Sequence, residues 1–244
     1  MRTIRIHVDV PLIAGNTLAL PAQAGEHVAR VLRLVAGDPL TLFNGDGHDY
    51  PATIEHAGKR EVVVRVGDGL PAGTESPLRL TLAQAVARGE KMDLIMQKAT
   101  ELGAVRIVPL LTERSEVKLD AARAEKRLAH WRSVVASACE QSGRARLPEV
   151  LAAQPLQAWL DQLADDGAVR LALLPDGTSH ARELNFGPAG GILVIGPEGG
   201  LGERDRQALS ASGFAGLCLG PRILRTETAG MAALAALQAL HGDA

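Results

Sequence analysis

Aromatic side chains are almost missing from this chain of 244 residues, which holds two Trp, one Tyr and three Phe. Its core must therefore be aliphatic, and a broad aromatic platform for stacking nucleic-acid bases is excluded. Cysteine is nearly missing too. Cys139 and Cys218 both lie in apolar stretches, which argues against a disulfide framework. No run approaches the roughly 18 apolar residues of a membrane span, and the opening segment Met1 to His7 has no apolar signal region. The expectation is a cytoplasmic protein with no membrane contact. No His/Cys group has ligand spacing, so no metal is expected. A strong net charge is absent as well, the formal value being −2.

What charge there is lies unevenly. Residues 79–146 carry 13 Lys+Arg against 8 Asp+Glu, and residues 147–244 carry 6 against 11. A basic middle beside an acidic tail gives either a basic face for nucleic acid or ordinary solvated helix surfaces.

Residues 1–70 read as a small β-barrel. The β-rich runs Arg2 to Val8, Leu40 to Phe43, Ala52 to Glu55 and Glu61 to Val66 are separated by turn signals such as Asn44 to Gly47. One helix, Ala24 to Leu34, interrupts them and places Val28, Val31 and Leu32 on one side. Residues 71–78 form a linker rich in Pro, Gly and Ser. Residues 79–244 alternate strand and helix, which means an α/β domain with a buried parallel sheet. Its strands are Leu80 to Ala87, Val105 to Leu111, Leu171 to Leu174, Ile192 to Ile195 and Gly216 to Leu219. Its helices are Lys91 to Leu102, a stretch capped by Asp120 that runs to about Cys139, Glu203 to Ser212 and Thr226 to Leu240. The last is apolar nearly all round, which suits either a subunit interface or burial under its own sheet.

Ligands of open α/β folds bind beyond the C-terminal ends of strands. Two glycine-rich segments occupy that position, Ile195-Gly-Pro-Glu-Gly-Gly200 and Leu219-Gly-Pro-Arg-Ile-Leu-Arg-Thr-Glu-Thr228. Neither has the spacing of a dinucleotide fingerprint or a phosphate loop. Glu198 would repel phosphate, so the pair fits a ligand read by backbone N–H and C=O groups, such as adenine with ribose. Thr226 is a candidate N-cap whose helix start can hold an anionic group. If the two strands are neighbours, the loops lie side by side and Leu174-Pro175 completes a wall. Read alone, the first loop is equally a plain turn into the next helix.

These two segments resemble the SPOUT class of RNA methyltransferases and, within it, enzymes that methylate uracil N3 in 16S rRNA. The resemblance extends through Arg88 to Met92, Gln97 to Gly103, Thr112 to Ser115, Val117 to Leu119, Glu140 to Arg144 and His27 to Arg33, nearly the whole chain. It implies a PUA-like β-barrel followed by a trefoil-knotted SPOUT domain, a homodimer, and the small ribosomal subunit as substrate. It also implies an S-adenosylmethionine site at Leu174, Ile195, Gly196, Pro197, Gly199, Gly200, Leu219, Gly220, Ile223, Leu224, Thr226 and Ala229.

Uracil N3 carries a proton at neutral pH, so a base or a group that stabilises the resulting anion is needed. Arg225 is the candidate for the anion and Glu227 for the base or for orienting Arg225. Glu198 would orient a partner's arginine or cap the next helix. Phosphate contacts are expected from Arg2, Arg5, His27, Arg30 and Arg33 on the barrel and from Arg114, Arg144 and Arg146 in the basic middle. Arg88, Lys91 and Lys98 are expected in ion pairs with Glu90, Glu101 or a partner chain. The rival readings are a non-catalytic RNA-binding assembly factor on the same fold, which would not bind S-adenosylmethionine, and a nucleotide-dependent enzyme of another class.

Overall fold

The computed structural model describes residues 4–58, 61–116 and 121–244. It divides into two compact units, residues 1–75 with 136–147, and residues 76–135 with 148–244. Among the described residues no helix is long and apolar enough to cross a membrane.

The first unit is a β-structure with one helical interruption. Its strands are β1 (Arg5–His7), β2 (Thr17–Ala19), β3 (Pro39–Phe43), β4 (His48–Ala57), β5 (Val62–Val66) and β6 (Leu70–Pro71). They run in the order β1-β3-β4-β5-β2, with β6 paired to β4, and all pairs except β1–β3 are antiparallel. β2 escaped the sequence reading because its three residues, Thr-Leu-Ala, give no periodicity. Alternation along β5 buries Val62, Val64 and Val66 against Leu42, Ile54 and Val28.

The helix is shorter and less regular than the sequence implies. α1 (Ala22–Glu26) passes into a π turn at His27–Val31, where Leu32 N–H donates to the His27 carbonyl. The wider turn rotates later residues off the inward face. Val28 is therefore fully buried while Val31 is 65 % exposed, against the expectation that they share a side. Arg33 follows with φ +56°.

Residues 136–147 join this unit, although the sequence reading kept them with the second domain. Arg144 is 3 % exposed and its guanidinium pairs with Glu75 at 2.7 Å. Arg5 pairs with Asp49, donates to the Arg144 carbonyl and lies 4.7 Å from the Phe43 ring centroid. Phosphate contact by Arg5 or Arg144 is thereby disfavoured, because their donors are turned inward.

The second unit is a parallel sheet covered on both faces. Its strands are β7 (Leu80–Ala85), β8 (Ala104–Leu111), β9 (Glu149–Val150), β10 (Gln154–Pro155), β11 (Val169–Leu173), β12 (Ser179–His180), β13 (Gly191–Ile195) and β14 (Ala215–Cys218). The order is β10-β8-β7-β13-β11-β14-β12, with β9 on β8 and every pair parallel. Its helices are α2 (Lys91–Glu101), α3 (Ala121–Ser142, shared with the first unit), α4 (Leu156–Leu160), α5 (Glu203–Ala211) and α6 (Thr226–His241). α2 buries Met92, Ile95, Met96 and Ala99, and Gly103 ends it at φ +80°. On α3, Trp131 and Val135 are buried and Leu128 only partly; Asp120, the expected cap, lies outside the described residues. Leu156, Trp159, Leu209 and Phe214 close one sheet face over Ala83, Val108 and Val194.

α6 lies against α2, β7 and β13, burying Ala229, Gly230, Ala233, Leu234 and Leu237. Burial under its own sheet thus accounts for its apolar surface.

Candidate active site

A cleft of about 560 Å³ opens at the C-terminal ends of β11, β13 and β14, within the size range of ligand pockets. β11 lies between β13 and β14, so the two Gly-Pro loops flank its end and face each other. They do not follow neighbouring strands, as the sequence reading supposed, because short apolar runs carry no information on strand order.

All twelve residues expected to hold a cofactor line this one cleft. Leu174 follows the end of β11. The first loop contributes Ile195, Gly196, Pro197, Gly199 and Gly200, and the second Leu219, Gly220, Ile223 and Leu224. The start of α6 adds Thr226 and Ala229. Gly200 and Gly220 have φ of +70° and +116°, and a Cβ on either would meet nothing within 4 Å. The space over their backbone is free for a ligand that approaches closely. Ile223 stands 86 % exposed on the cleft wall, apolar surface that a bound ligand or partner would cover.

One hydroxyl ties the loops together. Thr226 Oγ1 donates to the Gly196 carbonyl at 2.6 Å on the cleft wall and accepts from Gln84 Nε2 at 2.9 Å in the core. Thr226 is therefore not the N-cap. Arg225 holds that position in an extended conformation, leaving Thr226 as the first helical residue with its side chain directed back into the sheet. Sequence reasoning missed Gln84, yet a signal was there: a lone amide inside the apolar run Leu80–Ala87.

Glu198 does not cap the next helix either. Asp205 accepts from Gly202 N–H at 3.0 Å, and Glu113 accepts from Arg204 N–H at 3.2 Å. Glu113 fits there because position 202 has no Cβ, which would collide with its carboxylate. Glu198 lines the cleft and accepts from Arg88 N–H at 3.2 Å and from Lys91 Nζ at 3.1 Å. Burial alone would raise its carboxyl; hydrogen bonds from its own backbone and that of Arg88, then Lys91, outweigh this and hold it below the usual carboxylate range.

Lys91, expected to pair with Glu90, Glu101 or a partner chain, instead reaches Glu198 and, at 3.4 Å, Glu227. Its ammonium is held above the usual lysine range, chiefly by the hydrogen bond to Glu198. Arg88 pairs with Glu116 and Lys98 with Glu101. Glu227 is absent from the cleft wall.

Arg225 is exposed on the cleft and has no ion-pair partner among the described residues. With Lys91, Arg114, Arg206 and Arg222 it makes the lining basic, five cations to the single carboxylate of Glu198. Arg114 also donates to the Gly199 carbonyl at 2.8 Å. In the first unit His27, Arg30 and Arg33 are exposed, Arg30 being paired with Glu26. Arg146 is exposed with its guanidinium against Gly47. Arg2 lies outside the described residues.

The arrangement offers an apolar, glycine-lined cleft with a cationic rim and one ionised carboxylate, apt for a ligand without phosphates beside an anionic polymer.

The sequence profile of the family described as RNA methyltransferase domain matches residues 74–238, and that of the RNA methyltransferase PUA domain matches residues 20–67. The chain is 31 % identical to ribosomal RNA small subunit methyltransferase E of Bacillus subtilis, over 93 % of each chain. The solved structure of ribosomal RNA small subunit methyltransferase E from Neisseria gonorrhoeae, bound to S-adenosyl methionine, is 37 % identical over 99 % of both chains with a TM-score of 0.93. A Legionella pneumophila protein solved with bound cofactor SAM is 41 % identical over the full length of both, with a TM-score of 0.95.

Proposed function

This chain belongs to the RNA methyltransferases of the ribosomal RNA small subunit methyltransferase E family, and from that premise we propose that it methylates N3 of one uridine in 16S rRNA, using S-adenosylmethionine. The observation that carries the reading is the closure of both Gly-Pro loops on one cleft, locked by the Thr226–Gly196 hydrogen bond.

The cleft suits the cofactor. Backbone free of Cβ atoms at Gly200 and Gly220 would meet the adenosine, and Leu174, Ile195, Leu219, Ile223, Leu224 and Ala229 would enclose its apolar surface. No phosphate has to be accommodated beside Glu198. When bound, the cofactor supplies a methyl group already activated on a sulfonium.

The chain's own task is to produce the uracil anion and keep water out. Glu198 accepts the N3 proton on a carboxylate oxygen; of the two candidate carboxylates, it is the one that lines the cleft. Arg225, which has no ion-pair partner among the described residues, stabilises the negative charge shared by the flanking carbonyl oxygens. The N3 lone pair would then take the methyl carbon as the carbon–sulfur bond breaks, the bonding pair leaving with sulfur as a neutral thioether. Because N3 lies on the pairing edge, the base must enter unpaired or flipped.

In the second unit Arg114 is the phosphate contact this reading retains, and in the first unit His27, Arg30, Arg33 and Arg146. We read the exposed Leu94 and Leu240 as part of a homodimer face, which sedimentation would test. A cytoplasmic location follows from the substrate. The return of α6 from beyond β11 to β7 and α2 supports a trefoil knot. A knotted chain pulled from both ends would stop short of its full contour of about 3.3–3.6 Å per residue.

The deciding experiment supplies labelled S-adenosylmethionine with undermethylated small subunits and maps the product. The expected result is 3-methyluridine in 16S rRNA. No transfer, or transfer to ribose or guanine, refutes the reading.

A further inference from the structure

Lys91 sits where a lysine should not be. It is the first residue of α2, at the positive end of the helix dipole, and no side chain caps that end. Asp93, the acid of that first turn, is turned to His130 at 2.8 Å. A residue that breaks a local rule is compensated elsewhere. Here the compensation is two carboxylates from distant parts of the chain, Glu198 at 3.1 Å and Glu227 at 3.4 Å.

The two are not equivalent. Glu198 is on the cleft wall and Glu227 is behind it. Glu227 Oε2 is closed off from solvent and has no hydrogen-bond partner among the described residues, and Lys91 is its ion-pair partner. An uncompensated carboxylate there would be unfavourable, so Glu227 holds the ammonium, and the ammonium holds Glu198.

We propose that Lys91 is a positioning residue for the methyl transfer: anchored from behind by Glu227, its ammonium fixes the orientation and charge of the Glu198 carboxylate that takes the uracil proton. This rests on the proposed function. The other charged side chains on the cleft are Arg225 at the start of α6, Arg114 from the turn after β8, Arg206 on α5 and Arg222 in the second loop, and Arg88 contributes its backbone N–H to Glu198 while its guanidinium pairs with Glu116. None of these contributes a side-chain hydrogen bond to Glu198 among the described residues, so Lys91 is the side chain that bonds to it, acting beside backbone N–H groups that contribute more.

The test compares wild type with Lys91→Met, Lys91→Gln and Lys91→Arg in two measurements. The first needs no activity: protein labelled with ¹³C at the glutamate carboxyl is titrated by NMR, with Glu198→Gln assigning the resonance. Glu198 should titrate at higher pH in the Met and Gln variants than in wild type, and return toward wild type in the Arg variant. The second is the pH–rate profile of methyl transfer. Its acid limb should move up in pH in the Met and Gln variants, with about a tenfold loss of turnover on the acid side and unchanged cofactor affinity by calorimetry. The Gln variant keeps a donor and serves if the Met variant does not fold. An unmoved Glu198 titration, or superimposable pH–rate profiles, overturns the proposal. A wild-type protein that transfers no methyl to rRNA overturns the function reading instead, while the titration still decides the role of Lys91.

Discussion

Replacing Thr226 by Val removes one oxygen and keeps the branched shape. The lost hydroxyl donates to the Gly196 carbonyl and accepts from Gln84 Nε2. Gln84 keeps a second acceptor, the Ala85 carbonyl at 3.0 Å, so one of its donors stays satisfied. The Gly196 carbonyl has no such substitute among the described residues. Leaving a buried polar group unpaired costs about 1–3 kcal/mol; the Gly196 carbonyl is part-buried on the cleft wall and Gln84 keeps one bond, so two partial losses give about 2 kcal/mol. Thr226→Ser keeps the hydroxyl and loses only a methyl, for about 1 kcal/mol. Both tryptophans, Trp131 and Trp159, are buried in the second unit, so selectively excited tryptophan fluorescence during guanidinium unfolding reports on that unit. Cofactor affinity should weaken in the Val variant as well, since the bond joins the two loops of the cleft. A Val variant within about 0.5 kcal/mol of wild type, or a Ser variant as damaged as the Val variant, would refute the reasoning.

Three further outcomes are expected. Arg225→Ala should lower turnover by about 10²–10³ while sparing cofactor affinity, as removal of an anion-stabilising donor does; equal loss of both in calorimetry and initial rates would place Arg225 in cofactor binding. Burial pushes the Cys139 thiol up to about 12, from an ordinary value of 9.0. Below pH 9 the thiol is neutral folded and unfolded, so its burial has no pH dependence. Between 9 and 12 the unfolded chain releases the proton and the folded one keeps it, so stability falls through that window, and Cys139→Ala should flatten the decline in pH-dependent denaturation. Arg33 pairs an exposed cation with a left-handed backbone at φ +56°. Arg33→Gly should be more stable than Arg33→Ala by about 1 kcal/mol, and both should lower the salt dependence of RNA affinity by roughly one phosphate contact in filter-binding titrations.

The α/β alternation and most strands of the second unit were legible, because buried parallel strands are continuous apolar runs and their helices repeat at 3.6 residues. The residues lining the cleft came from the resemblance; glycines directly after strands marked only where a ligand loop could lie. Strand order was not legible. Nothing in Leu171 to Leu174 says that its strand separates β13 from β14, and the loops were therefore expected side by side. Val31 was misplaced because a π turn has no composition signature. Arg5 and Arg144 were taken for surface cations because charge is a property of residue type, whereas burial beside Asp49 and Glu75 is a property of the assembled unit.

The residues that read correctly and those that did not differ in the range of the contacts that define them. A glycine's role at Gly200 or Gly220 is set by its own backbone, so it is visible locally. Lys91 is defined by Glu198 and Glu227, more than a hundred positions away, and Thr226 by Gly196 and Gln84. Lys91, Glu198 and Glu227 meet only when α2, β13 and α6 are all in place, which couples the chemistry of the site to the integrity of the sheet beneath it. Substitutions under the cleft, at Gln84 or Thr226, should therefore lower stability and affinity together, while substitutions on its wall, at Arg225, should separate turnover from both. Loss of stability in Arg225→Ala comparable to that in Thr226→Val would contradict this division.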